Sequence, residues 1–240
     1  ELKMNLGLKD KVVVVTGSSR GIGLGIALGF AREGARVAVT GRNRDILAAA
    51  VKQVQDIGGI VHAFSGDVRD EVGIRKCVEE VVAKWGGLDI LVANLGASKG
   101  RRGWDVNESE WKELLDLNLL SGIKAAKVSI PYLMKSESGS IVFISSIAGI
   151  ENLGAPPAYE VGKAGVISYS KYLARSLAGE KIRVNVVAPG NILFPGSTWD
   201  EKLKTDNKAV QGMIETEVPM SRFGSPEDVA NAVLFLASEK

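Results

Sequence analysis

Tyr159 and Lys163 stand four residues apart in a stretch patterned as a helix, thirteen residues beyond Ser146. Residues at i and i+4 share one helix face, so a phenol and an ammonium enter the same space. A free phenol, with a pKa near 10, is a poor acid or base at neutral pH. A cation about 4 Å away, at an effective dielectric near 20, would favour the phenolate by roughly 4 kcal/mol, or about 3 pKa units. Tyr159 is therefore expected to titrate near the working pH, as a general acid/base must. By itself the spacing also describes a surface tyrosine and lysine one turn apart. What decides between the two is the scaffold that would position them.

Short β-branched runs alternate with helical patterns along the chain. Strands are expected at Val12–Thr16, Arg36–Thr40, Ile60–Phe64, Leu88–Ala93, Ile141–Ser145 and Ile182–Val187. Helices are expected at Ile22–Arg32, Arg44–Ile57, Asp70–Trp85 and Pro157–Ala178, with a longer helical stretch at Glu108–Met134 interrupted near Gly122 and Pro131. Strands apolar on both faces, separated by helices of ten or more residues, imply βαβ units in a doubly wound parallel α/β sheet. After Pro189-Gly190 a polar, irregular insertion is expected over Asn191–Asn207, part of a substrate-loop region spanning about 191–225. Pro226–Ser238 reads as a final helix, with Ser225 as N-cap and Pro226 at its first position. No linker or repeat divides residues 1–240, which read as one domain.

The bulk composition excludes several classes. A net charge of +2 is too small to argue for nucleic acid or a membrane surface, and no apolar run approaches the roughly 20 residues that span a bilayer. One cysteine, Cys77, and no signal-like opening fit a reducing cytoplasm. The single histidine, His62, falls within a strand, leaving neither a zinc ligand set nor a Ser-His-Asp hydrolase. Any proton chemistry must proceed without histidine.

The first strand runs into Thr16-Gly17-Ser18-Ser19-Arg20-Gly21-Ile22-Gly23 and then a helix. Gly17 permits the tight turn, Gly21 lets backbone approach a pyrophosphate, and Gly23 lets helix and strand pack closely, with the helix N-terminus facing the anion. Between a first strand and a first helix, this G-x-x-x-G-x-G spacing points to dinucleotide binding. Where NAD binders usually carry an acid for the ribose hydroxyl, the end of the second strand reads Thr40-Gly41-Arg42-Asn43-Arg44. Guanidinium groups there, with Arg20 in the turn, suit a 2′-phosphate, so NADP(H) is the expected cofactor.

On these residues the chain resembles a single-domain short-chain dehydrogenase/reductase, most of all the 3-oxoacyl-(acyl-carrier-protein) reductase-like members, over roughly residues 8–238. The resemblance implies a Rossmann-like sheet in the order 3-2-1-4-5-6. It further implies cofactor contacts from Gly17, Ser19, Arg20, Gly21, Ile22, Gly23, Arg42, Asp67 and Val68. Asn94 and Gly96 of Ala93-Asn94-Leu95-Gly96, and Pro189, Gly190 and Ile192, would contact it too. Ser146 would hold the substrate oxygen, and Tyr159 would exchange a proton with it as hydride passes. Lys163 would bind the nicotinamide ribose and lower the Tyr159 pKa, and Asn118 would anchor a water that links Lys163 to solvent. Ser145 is a rival to Ser146; strand alternation sends the two to opposite faces, and the spacing to Tyr159 favours Ser146.

The chain departs from the family pattern at Ala93, Leu95 and Gly162, and lacks the common threonine after Pro189-Gly190. It also stops at Lys240, where the family continues into a seventh strand. If that ending is real, an edge strand and part of the usual tetramer contact are missing. The implied reaction is reduction of a ketone or aldehyde, or the reverse, with a 3-oxoacyl thioester as the substrate the resemblance suggests. A sugar or polyol dehydrogenase is the alternative, and an epimerase, a dehydratase or a non-catalytic NADP-binding protein are more distant ones. Lys99, Arg101 and Arg102 are candidates for an anionic part of the substrate, and Leu193, Phe194 and Trp199 for an apolar lid. A homotetramer or dimer through the Glu108–Met134 and Pro157–Ala178 helices is implied by resemblance.

Overall fold

A computed structural model describes residues 5–240; residues 1–4, included in the expected domain span, lie outside the described residues. Six strands, β1 (Val12–Val15), β2 (Arg36–Gly41), β3 (Ile60–Ser65), β4 (Ile90–Ala93), β5 (Ser140–Ile144) and β6 (Arg183–Val187), form one parallel sheet in the order β3-β2-β1-β4-β5-β6. The order reverses between β1 and β4, paired Val13 to Ile90 and Val15 to Val92, and a crevice opens beyond the carboxyl ends there.

Strand alternation builds a core on each face of the sheet. Val13, Val15, Val37 and Val39 pack with Ile26 and Phe30 of α1 (Gly21–Arg32), Val54 of α2 (Arg44–Asp56), and residues of the last helix. Val12, Val14 and Phe143 face the other way. They meet Ile74 and Val78 of α3 (Glu71–Trp85), Ala125 and Leu133 of α5 (Ser121–Leu133), and Val166 of α6 (Pro157–Leu177). The central strands β1, β4 and β5 are buried throughout, whereas β3 is largely exposed and β6 half-buried. The expectation of strands buried on both faces therefore holds at the centre of the sheet and fails at its edges.

The stretch Glu108–Met134 is α4 (Glu108–Leu115), one turn of π-helix (Asp116–Leu120), and α5. The break precedes Gly122, and Pro131 sits inside α5 near its end without interrupting it. The insertion, expected to be irregular, contains α7 (Thr198–Thr205) and α8 (Asn207–Glu217), capped by Ser197 and Asp206. α9 (Pro226–Ala237) follows, with Ser225 and Asp228 in a reciprocal capping box. The Arg183 guanidinium donates to the carbonyls of Leu236 and Ala237, closing its other end. No described helix is long and apolar enough to cross a membrane.

Candidate active site

The glycine-rich turn is stitched from beneath by buried hydroxyls. Ser18 Oγ donates to the Val15 carbonyl (2.6 Å) and accepts from the Thr40 N–H (2.9 Å), and the Gly17 N–H donates to Thr40 Oγ1 (2.8 Å). Asn94 Nδ2 donates to the carbonyls of Thr16 and Gly17, so its amide braces the turn from the end of β4. At Gly23 a Cβ would stand 2.5 Å from the Gly17 carbonyl oxygen and 2.6 Å from Asn94 Nδ2. Backbone cannot yield there. Gly23→Ala should lower the stability by about 1–3 kcal/mol, read as an earlier midpoint in urea.

Several features fit this crevice to a dinucleotide. α1 opens at Arg20 with no side-chain cap, unlike α2, α3 and α9, so its first amides face the crevice free for an anion. Gly21 has φ +59, and the Phe194 ring lies against it. Gly96 leaves room that a Cβ would fill, 2.7 Å from Lys163 Nζ and 2.9 Å from Asn118 Oδ1. A cleft of about 280 Å³ runs from Gly17, Arg20, Ile22 and Gly23, past Gly96, to Tyr159, Lys163, Gly190 and Ile192. Pro189 accepts from the Ile147 N–H and fixes the bend that brings Gly190 there.

At the far end of the cleft, β5 delivers two serines with opposite tasks. Ser145 is buried and donates to the Lys163 carbonyl (2.7 Å), tying α6 to the strand. Ser146, extended at φ −162, caps the following turn by accepting from the Ala148 N–H and lies beside the Tyr159 hydroxyl. Lys163, 3% exposed, donates from Nζ to the Ile144 carbonyl (2.9 Å). Sequence reasoning considered Ser145 only as a rival to Ser146 for the substrate oxygen and missed its hold on α6.

The electrostatics correct one expectation. Lys163 Nζ lies 6.0 Å from the Tyr159 ring centroid and is engaged with β5. Burial raises the Tyr159 phenol above its ordinary value, with the neighbouring Ser146 hydroxyl pulling the other way, so the phenol is not lowered as the spacing suggested. Burial also brings Lys163 down to about 8. The same helix face is shared, but the ammonium leans toward the strand.

Asn118, 2% exposed, accepts from the Ala97 N–H (2.9 Å) and donates to the carbonyls of Ala97 and Leu114. The Leu114 carbonyl is the one a regular α-helix would give to the Asn118 N–H, and the π turn forms where the side chain engages it. Its amide thus holds the loop after β4 in place.

Beyond the end of β2, Arg42 approaches Asp67 (3.8 Å), Arg20 turns toward Gly196, and Arg44 is exposed at the start of α2. Arg69, which sequence reasoning passed over, forks onto Asp67 through Nε and holds its carboxyl below the usual range. The Val68 side chain belongs to the core, which leaves its backbone for a ligand. Ser19 packs against Gly41 at the end of β2. His62 lies on edge strand β3, 3.3 Å from Glu80, away from the cleft. Burial raises the Cys77 thiol to about 12, making it an inert core residue.

Of the candidate lid, Phe194 covers Gly21 and Trp199 borders the cleft, while the Leu193 N–H bonds to Gly224. In the basic loop, Lys99 lines the cleft and Arg101 pairs with Asp105 (3.3 Å). Burial, and then the Arg102 charge, hold Lys202 of α7 below its ordinary range.

Residues 17–240 match the family described as Enoyl-(Acyl carrier protein) reductase. The chain is 38% identical over 233 residues to a 3-oxoacyl-(acyl-carrier-protein) reductase of Thermotoga maritima, covering 97% of this chain and 92% of that one. It is 36% identical over 231 residues to a Staphylococcus aureus protein of the same name, covering 96% and 92%. Among solved structures it resembles L-sorbose reductase from Gluconobacter frateurii in complex with NADPH and L-sorbose, with a TM-score of 0.92 and 35% identity, covering 98% and 92%. Fold, sequence and cleft agree: the chain belongs to the short-chain dehydrogenase/reductase family of oxidoreductases.

Proposed function

We propose that this protein is an NADP(H)-dependent oxidoreductase that reduces a ketone or aldehyde, or oxidises the corresponding alcohol. The observation that carries this reading is the placing of Tyr159 and buried Lys163 at the far end of a cleft that begins at the glycine-rich turn, with Ser146 beside the Tyr159 hydroxyl. NADP(H), when bound, supplies or accepts the hydride. Ser146 donates a hydrogen bond to the substrate oxygen and holds it within reach of Tyr159. Tyr159, kept protonated by its buried setting, gives a proton to that oxygen during reduction and takes one back during oxidation. Lys163, still cationic at neutral pH, offsets negative charge developing on the phenol as the proton leaves. Gly17, Ser19, Arg20, Gly21, Ile22, Gly23, Asn94, Gly96, Pro189, Gly190 and Ile192 form the walls of the dinucleotide site, with Asp67, the Val68 backbone and Arg42 at the adenosine end.

The names of the bacterial relatives favour a 3-oxoacyl thioester as substrate, and the likeness to L-sorbose reductase favours a sugar or polyol as the second reading. Lys99, Arg102 and Lys202, none of them in an ion pair among the described residues, suit an anionic portion of the substrate at the mouth. A homotetramer or dimer through the α4–α5 and α6 faces is supported on α6 by the exposed apolar side chains of Val161 and Tyr172.

Loss of absorbance at 340 nm with NADPH and a panel of ketones and aldehydes tests the reaction. No consumption with any of them would move the reading to a non-catalytic binder. The absence of an acid after β2 and the position of Arg42 predict a lower KM for NADPH than for NADH. Arg42→Ala should raise the NADPH constant about tenfold and leave the NADH constant within about twofold, since NADH lacks the phosphate and the Arg42 contact with Asp67 is long, at 3.8 Å. Equal effects on both cofactors would remove Arg42 from that role.

A further inference from the structure

A second cavity, of about 1130 Å³, lies under α7 and α8 and begins at Ile147, directly after Ser146. It shares Gly190, Ile192 and Trp199 with the dinucleotide cleft, so a carbonyl held at Ser146 would have the cofactor on one side and this space on the other. Its volume lies just above the usual range for small-molecule sites, about 300–1,000 Å³. Its floor is apolar, from Ile147, Ile192, Val210 and Met213. Charged residues such as Asp206, Glu217 and Arg222 are exposed and stand at the rim. Asn191, which also lines the cavity, directs its amide at the Met213 sulfur, 3.8 Å away. A polyol would bury hydroxyls here against few partners, which disfavours it.

We propose that this cavity takes an extended apolar group of the carbonyl substrate, and that Trp199 and Met213 set which chain lengths fit. The Trp199 indole is braced by the Phe223 ring (centroids 5.7 Å apart) and by Lys202 Nζ, 4.4 Å from its centroid. That bracing gives the wall between the two cavities a fixed position. The inference rests on the carbonyl-reducing reading above and narrows its substrate to flexible, apolar ketones rather than sugars.

The test is NADPH-dependent reduction of methyl ketones from 2-butanone to 2-decanone, with L-sorbose alongside. In the unmodified protein kcat/KM should rise about two- to fourfold per added methylene until the cavity is filled. Met213→Trp, which occupies the floor, should lower kcat/KM for 2-octanone at least tenfold and leave 2-butanone within about twofold. Met213→Leu should keep the original profile, separating lost space from damaged folding. A flat chain-length profile, or preference for L-sorbose over 2-octanone, would overturn the apolar assignment while leaving the oxidoreductase reading intact. Failure to reduce any of these compounds would instead overturn the reading beneath it.

Discussion

Tyr159→Phe should lower ketone turnover by about a hundredfold to ten-thousandfold, the range expected when a positioned general acid is removed. The change deletes one oxygen and leaves the ring packing on the first turn of α6. NADPH affinity, measured by fluorescence titration, should stay within about twofold, because the phenol hydroxyl serves the substrate oxygen. Stability should change by less than about 1 kcal/mol, since only the contact with Ser146 is lost. A surface tyrosine would show no kinetic effect, and a purely structural one would lose stability and activity together.

Lys163→Met should have an opposite pair of effects, stabilising the protein while disabling it. Burial takes the ammonium from 10.5 to about 8, which corresponds to about 3 kcal/mol held against the charged form in the folded state. Below pH 8 the unfolded chain binds this proton more readily, so the penalty is fully present there. It fades as pH rises from about 8 toward 10.5. Methionine removes the penalty but forfeits the hydrogen bond to the Ile144 carbonyl. A net gain of about 1–2 kcal/mol at pH 7, or a melting temperature higher by about 2–6 °C, is expected, and it should shrink by pH 10. Turnover should fall by a factor on the order of a hundred. A lysine kept for packing alone would give lower stability on substitution.

The sheet was legible because its central strands are unbroken β-branched runs, and residues such as Gly34 and Gly58 mark where helices end. The glycine-rich turn was legible for the same reason that it works: backbone must pass where a Cβ cannot, as at Gly23. The π turn was not legible. Its cause is the Asn118 amide reaching back to the Leu114 carbonyl, which leaves no trace in hydrophobic period. Helices α7 and α8 escaped notice because they bury few residues, although their caps at Ser197 and Asp206 were readable signals. Spacing put Tyr159 and Lys163 on one helix face but gave no distance between their polar atoms. The Ile144 carbonyl, contributed by a different element, draws the ammonium to the strand, and burial then governs both groups. Likewise Arg69 follows Asp67 by two residues, yet only the turn before α3 folds its guanidinium back onto that carboxylate.

The most direct test of a protonated Tyr159 working beside a cationic Lys163 is the pH dependence of kcat/KM for ketone reduction by NADPH, measured from pH 6 to 10. With Tyr159 held protonated by burial and Lys163 losing its charge near 8, the rate should be level at low pH and fall as pH rises through about 8. A rate that stays level to pH 10, or rises through that range, would contradict it.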